Sequence, residues 1–295
     1  MKTPPSAHFR PSPILPGVPI GLLRSSLFAV GCPDEHGTII YICKRPMPMA
    51  AQRGEKLAYR GPPLNQHHAL AWQAVLLAAE GKDAMDGRAF EVSPDFLLRL
   101  MGRKGGDRSQ RARLTNLLMD LMRARIHYTT RLSKYTGPLL ANLRITIKPR
   151  GRFVLELDPK LREILRNEVL RNDLVRKARL GSNTLALWLH DYLATHLRPP
   201  QEPVDRLRIL SGSRLNLAQF RIRLRAAVAL LKGDPLIIAG GIDQFDRLVI
   251  EEKAPTRVVI LAAEGASSQQ VTKPPAKPKG KAETKPIPPP NPLRL

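Results

Sequence analysis

One order of elements occurs twice along this chain, and few folds accommodate it. The second copy is the sharper. From Arg214 to Lys232, the residues Leu217, Phe220, Leu224, Ala227, Val228 and Leu231 fall within about 80° of one line along a helix. No acidic residue interrupts that stretch. Gly233-Asp234-Pro235 breaks it, and the extended runs Leu236–Ala239 and Leu248–Ile250 flank a Gly-rich, polar tip at 240–247, the pattern of a β-hairpin. Ahead of the long helix stand a helix over Leu180–His196, stopped by Pro199-Pro200, a short helix over Val204–Leu210 and a Ser211-Gly212 turn.

The first copy has the same plan. Asn65 opens a helix carrying Leu70, Trp72, Val75, Leu76 and Ala79, and Gly81 ends it. A short strand, Ala89–Val92, leads to Ser93-Pro94-Asp95, a cap followed by proline at the first helical position. That helix runs through Met101, Arg103–Gly106 is a turn, and a third helix runs from Asp107 to Arg125. Extended runs at Ile126–Leu132 and Leu139–Lys148 follow, joined near Lys134–Pro138, with a further strand at Phe153–Leu157. Thr38–Ile42 reads as extended, and Asp158-Pro159 starts a helix to Asn167.

Helix, helix, turn, long basic helix and hairpin is the order of a winged helix, whose third helix enters the major groove of DNA. The fold class expected is therefore α+β, with tandem winged-helix domains at 20–155 and 156–263. A Pro-rich arm at 1–19 and a basic Pro/Lys tail at 264–295 are expected to be disordered.

Charge points to the partner. The chain has 48 Lys+Arg against 25 Asp+Glu, a formal net charge of +23. A compact fold carries such self-repulsion when its partner is anionic, so double-stranded DNA is the expected partner. Two cysteines make no disulfide framework, no apolar run is long enough to cross a bilayer, and the first 19 residues lack the apolar core of a secretion signal. A cytoplasmic protein is the expectation.

On the long helix, the face opposite the apolar stripe holds Arg214, Leu215, Ala218, Gln219, Arg221, Ile222 and Arg225. A solvated helix ordinarily mixes signs to gain i,i+4 pairs, and this one does not. Arginine suits guanine edges, glutamine suits adenine, and Leu215, Ala218 or Ile222 suits thymine methyls. On the first copy's helix, Arg108, Ser109, Ala112, Arg113, Asn116 and Arg123 face away from Leu114. Arg144, Lys148, Arg150 and Arg152, with Arg206 and Arg208, read as phosphate clamps. Arg162, Arg166, Arg171, Arg176, Lys177 and Arg179 alternate with Glu163, Glu168 and Asp173, as on a solvated linker helix.

No catalytic constellation emerges, and neither a cofactor nor a metal is expected. Tyr192 fits an apolar helix face rather than a nucleophile's position, and His67 and His68 are adjacent rather than spaced for one metal. Cys32, His36 and Cys43 lack a fourth ligand, and no P-loop occurs.

Four stretches resemble plasmid replication initiators of the TrfA family: Ile20–Phe28; Tyr59-Arg60-Gly61-Pro62-Pro63-Leu64 followed by Leu70–Leu76; Leu187–His196; and Leu210–Ser213 with the helix Phe220–Leu231 and its hairpin. The likeness covers about residues 18–253. Its helix residues facing DNA diverge from the family's, and the tail after Glu264 has no counterpart. Leu27-Phe28 is faintly similar to peptides that bind replicase sliding clamps, without their glutamine; the plainer reading is an apolar anchor. The resemblance implies a sequence-specific protein that binds direct repeats, or iterons, in a plasmid origin. It further implies that the protein opens adjacent A+T-rich duplex with the host initiator and helps load the replicative helicase, its homodimer being inactive and limiting copy number. The alternative is a winged-helix transcriptional regulator.

Overall fold

The computed structural model describes residues 17–31, 43–147, 151–165, 169–171, 174–196, 201–232 and 237–252. Residues 1–16 of the expected arm, the tail, the Thr38–Ile42 run, the Cys32 and His36 positions, Lys148 and Arg150 lie outside them, whereas Gly17–Pro19, expected to be disordered, form a strand paired with Val169–Arg171, with Val18 buried in the core.

The chain begins with β1 (Gly17–Pro19) and α1 (Ile20–Leu23), then β2 (Cys43–Met49) and β3 (Lys56–Gly61). The first copy of the repeated order follows as α2 (Gln66–Glu80), β4 (Phe90–Val92), α3 (Pro94–Leu100) and α4 (Arg108–Arg123). Next come β5 (Arg125–Thr129), β6 (Lys134–Pro138), β7 (Asn142–Ile145) and β8 (Phe153–Glu156). A connecting stretch holds α5 (Leu161–Leu165), β9 (Val169–Arg171) and α6 (Leu174–Ala178). The second copy is α7 (Thr184–Ala194), β10 (Glu202–Pro203), α8 (Val204–Leu210), α9 (Leu217–Lys232), β11 (Ile237–Ile242) and β12 (Arg247–Glu252).

The repeat is one of topology as well as order. In the first copy the sheet runs β4-β8-β7, and in the second β10-β12-β11, all antiparallel. In each, the strand before the second helix pairs with the last strand of the hairpin. This is the winged-helix arrangement.

Local chemistry sets the helix ends. Asn65 caps α2 in a reciprocal box with His68, Ser93 caps α3 ahead of Pro94, and Asn183 caps α7. Asp107 accepts from the Ser109 amide at the start of α4, as Asn216 accepts from Gln219 at the start of α9. The turns before α4 and α9 match bond for bond. Arg103 N–H donates to Leu98 (2.8 Å) and Gly102 to Arg99 (2.9 Å); Ser213 donates to Arg208 and Gly212 to Ile209, both at 3.1 Å. These are Schellman endings, and they require a left-handed residue, supplied by Gly102 (φ 70°) and Gly212 (φ 66°). A substitution at Gly212 also meets Ala29, since an added Cβ would lie 3.0 Å from the Ala29 Cβ.

Two hydrophobic clusters form. The first gathers Trp72, Leu76, Leu97, Leu118, Ile126 and Leu155; the second gathers Trp188, Tyr192, Leu207, Phe220, Leu224 and Leu248. Leu27 and Phe28 are buried in the first, which makes them the apolar anchor and removes them as an exposed clamp-binding peptide. The same segment reaches the second cluster through Val30, and β1 pairs with β9.

Four expectations change. Lys134–Pro138 is not a link but a strand, the outer member of the sheet β2-β3-β5-β6. Its Gly and Pro sit at an edge, where a missing ladder bond is tolerated, and Tyr135 anchors it in the core. Arg214 lies in the turn ahead of α9, because Asn216 caps the helix. Gly240 and Gly241 belong to β11, and the turn is Asp243–Asp246. A Cβ at Gly240 would come within 3.2 Å of Val228 on α9, so glycine lets the hairpin lie close to the helix. Finally, Lys177 is fully buried rather than solvated. Its ammonium meets the Asp191 carboxylate at 2.5 Å and the Gln73 carbonyl at 3.1 Å, and Gln73 donates to Asp191 at 3.2 Å. Three helices, α2, α6 and α7, are joined at this point.

Candidate nucleic-acid interface

The core face of α9 consists of Phe220, Leu224, Ala227, Val228 and Leu231. The stripe through these residues and Leu217 centres about 30° past Phe220, which places Ile222 about 170° away, pointing straight out. The solvent face carries Ala218, Gln219, Ile222, Arg223, Arg225, Ala226, Ala229 and Leu230, all exposed. An apolar row, Ala218, Ile222, Ala226, Ala229 and Leu230, thus runs along it with cations on either side. Ile222 is 65% exposed and Leu230 49%. Arg214, Arg223 and Arg225 form no ion pair with any described residue. Arg223 escaped the sequence reading because the helix was centred on Phe220; from the true stripe centre it stands about 90° off, on the open side.

Arg221 stands about 70° from that centre, at the edge of the buried face. Its guanidinium grips Asp246 through two bonds, Nε to Oδ1 at 2.7 Å and Nη2 to Oδ2 at 2.8 Å. The guanidinium holds the Asp246 carboxyl below the usual carboxylate range. Arg221 is therefore committed to the hairpin turn.

That turn is densely bonded. Asp243 Oδ1 accepts from the amides of Phe245 (2.9 Å) and Arg247 (2.8 Å), and its Oδ2 meets Arg247 Nε at 3.2 Å. Asp246 takes the left-handed conformation at φ 56°, which aspartate tolerates better than most residues. Its carbonyl accepts from the Val204 amide at 2.9 Å, tying the turn to the start of α8.

On α4, Leu114, Leu118 and Leu121 are buried, while Arg108, Ser109, Arg113 and Asn116 are exposed. Arg108 and Arg113 form no ion pair with any described residue. The Ser109 hydroxyl donates to Asp107 Oδ2 at 2.9 Å. Arg111 is held by Asp95 of α3 (2.5 and 2.9 Å), which fixes the angle between the two helices.

The four expected phosphate clamps among the described residues each pair with a carboxylate of the protein. Arg208 pairs with Asp205 (2.8 Å), and Arg206 with Glu202 (3.5 Å) and Gln52 (3.3 Å). Arg144 pairs with Glu156 (3.5 Å), and Arg152 with Glu91 (3.8 Å). Among the described residues no group of three His, Cys, Asp or Glu is placed to hold a metal ion, and no helix is long and apolar enough to cross a membrane.

The fold is shared. The crystal structure of selenomethionine derivatives of domains 2 and 3 of RctB is similar with a TM-score of 0.51 at 12% identity, over 80% of this chain and 97% of that one. The chain has the fold of those two domains. A second crystal structure of RctB domains 2–3 gives a TM-score of 0.44 at 11% identity, over 63% and 77%. No protein-family model and no curated protein sequence matches the chain.

Proposed function

We propose that this chain is a sequence-specific DNA-binding replication initiator that acts without catalysis of its own. One observation carries the reading. Two topologically equivalent helices, α4 and α9, each follow the same Schellman turn, each adjoin a hairpin, and each turn exposed arginines to solvent, α9 with no acidic residue among them. RctB, whose domains 2 and 3 share the fold, is a replication initiator. The resemblance to TrfA supports the finer reading: iterons of a plasmid origin as target, opening of nearby A+T-rich duplex with the host initiator, helicase loading, and an inactive homodimer. Within α9 the apolar row suits thymine methyls in the major groove, and Arg214, Arg223 and Arg225 suit the flanking phosphates or guanine edges. Arg221 positions the hairpin.

The test is footprinting on DNA flanking the gene at about 150 mM salt with excess competitor, because low salt lets any strongly basic protein bind. Regularly spaced protections over direct repeats beside an A+T-rich stretch are expected. A single protected palindrome at a promoter would replace this reading with that of a transcriptional regulator.

A further inference from the structure

We infer that Phe245 is an apolar wedge for the minor groove of duplex DNA, seated beside α9. The inference rests on the DNA-binding reading above and adds a contact to it. Phe245 is the one aromatic among the large apolar side chains left exposed in the described residues, at 66%. It stands at the tip of the β11–β12 turn, and that tip is rigid. The Phe245 amide is bonded to Asp243, and the next residue is clamped by Arg221 from α9 and tied to α8 through the Val204 amide. A side chain on so constrained a turn is aimed before it binds, so little ordering entropy opposes its insertion.

Position selects the groove. The turn is fastened to the second turn of α9, so with α9 in the major groove the tip crosses one sugar-phosphate ridge and meets the adjoining minor groove. Charge permits the approach. Asp243 and Asp246 would repel phosphates, but Arg247 and Arg221 neutralise them in place. The Arg247 guanidinium, paired with Asp243, also lies 5.0 Å from the Phe245 ring centroid and helps hold the ring in place. Phenylalanine in the minor groove unstacks a base step and bends the duplex toward the major groove. Such a bend suits a protein that must strain the duplex it binds.

The experiment compares the full chain with F245A and F245W on a short duplex covering one repeat protected by the wild type, at about 150 mM salt. The side chain is exposed, so both variants should keep the wild-type unfolding midpoint. F245A should raise Kd roughly tenfold and reduce the bend measured by end-to-end energy transfer. Trp72 and Trp188 are buried, so the red-edge emission of F245W reports the turn alone. Saturating duplex should quench that emission and shift it to the blue. Unchanged affinity and bend in F245A, or unchanged F245W emission on saturated duplex, overturns the wedge while leaving the DNA-binding reading standing. Failure of the wild type to bind any duplex overturns both.

Discussion

Ile222 offers the most direct test of how α9 reads DNA. It stands at the outermost point of the helix, 65% exposed, between exposed Ala218 and Ala226. Its only evident use there is a contact outside the protein. Ile222→Ala removes three carbons, each worth about 0.8 kcal/mol when fully buried; scaled by the exposed fraction, the loss on DNA is about 1.5 kcal/mol. That is roughly a tenfold rise in Kd. The folded chain should hardly notice, with a stability change within about 0.5 kcal/mol. Deoxyuridine supplies the partner perturbation, since it removes only the thymine 5-methyl, worth about 0.8 kcal/mol or roughly fourfold in Kd. Fluorescence anisotropy titrations of both proteins on both duplexes close a double-mutant cycle. At the thymine that Ile222 touches, the two losses should fall short of adding. No charge is removed, so the salt dependence should not move. Strict additivity at every thymine in the protected repeat, or a loss under about twofold for Ile222→Ala, would refute apolar readout by this helix.

Three further outcomes follow from the geometry. Arg223→Ala and Arg225→Ala should each lower the slope of log Kd against log salt by about one if they neutralise phosphates, whereas a base contact would relax preference at a single position. Asp191→Asn leaves Lys177 buried without its counter-charge and should cost about 3–5 kcal/mol in urea unfolding, whereas Lys177→Met with Asp191→Leu should cost less. Burial opposes the Asp191 charge, but Lys177 and His190 outweigh it and hold the carboxyl down to about 2. Its contribution is thus complete above an unfolded value near 3.8 and is lost as pH falls toward 2. Burial, with Arg24 nearby, lowers His196 to about 4 from 6.5. The unfolded chain then binds that proton first, so stability should fall as pH drops from 6.5 to about 4, and urea midpoints for His196→Gln should flatten over that window.

Signals confined to a few neighbouring residues were legible in the sequence. Asn65, Ser93 and Gly81 end their helices where a capping side chain or a break in periodicity says they should. Val204–Leu210 is bounded as read, because an apolar repeat runs between Pro203 and Gly212. What the chain hides is set by contacts across it. Nothing near Lys177 announces Asp191 on another helix, so mixed local charge looked solvated. Arg221 looks like any arginine of a basic row until the hairpin brings Asp246 to it. Arg206 and Arg208 differ, because their carboxylate partners Glu202 and Asp205 stand four and three residues away and are open to view in the sequence. Arg223 was missed for a smaller reason: a helix wheel centred on one aromatic misplaces the edge of the buried face.

The segment around Val18–Val30 has a consequence for how the chain is made. Arg24 bonds Thr195 across 171 residues, and β1 waits for β9 to supply its only strand partner among the described residues. Such distant contacts carry a large loop-closure cost before they return any stability. During synthesis, the residues of α1 leave the ribosome long before their neighbours on α7 exist. They form an early sticky stretch whose final place is held open until α7 has emerged. Slow elongation across residues 60–190 should therefore lower soluble yield, and chaperone holding of the nascent amino terminus should restore it.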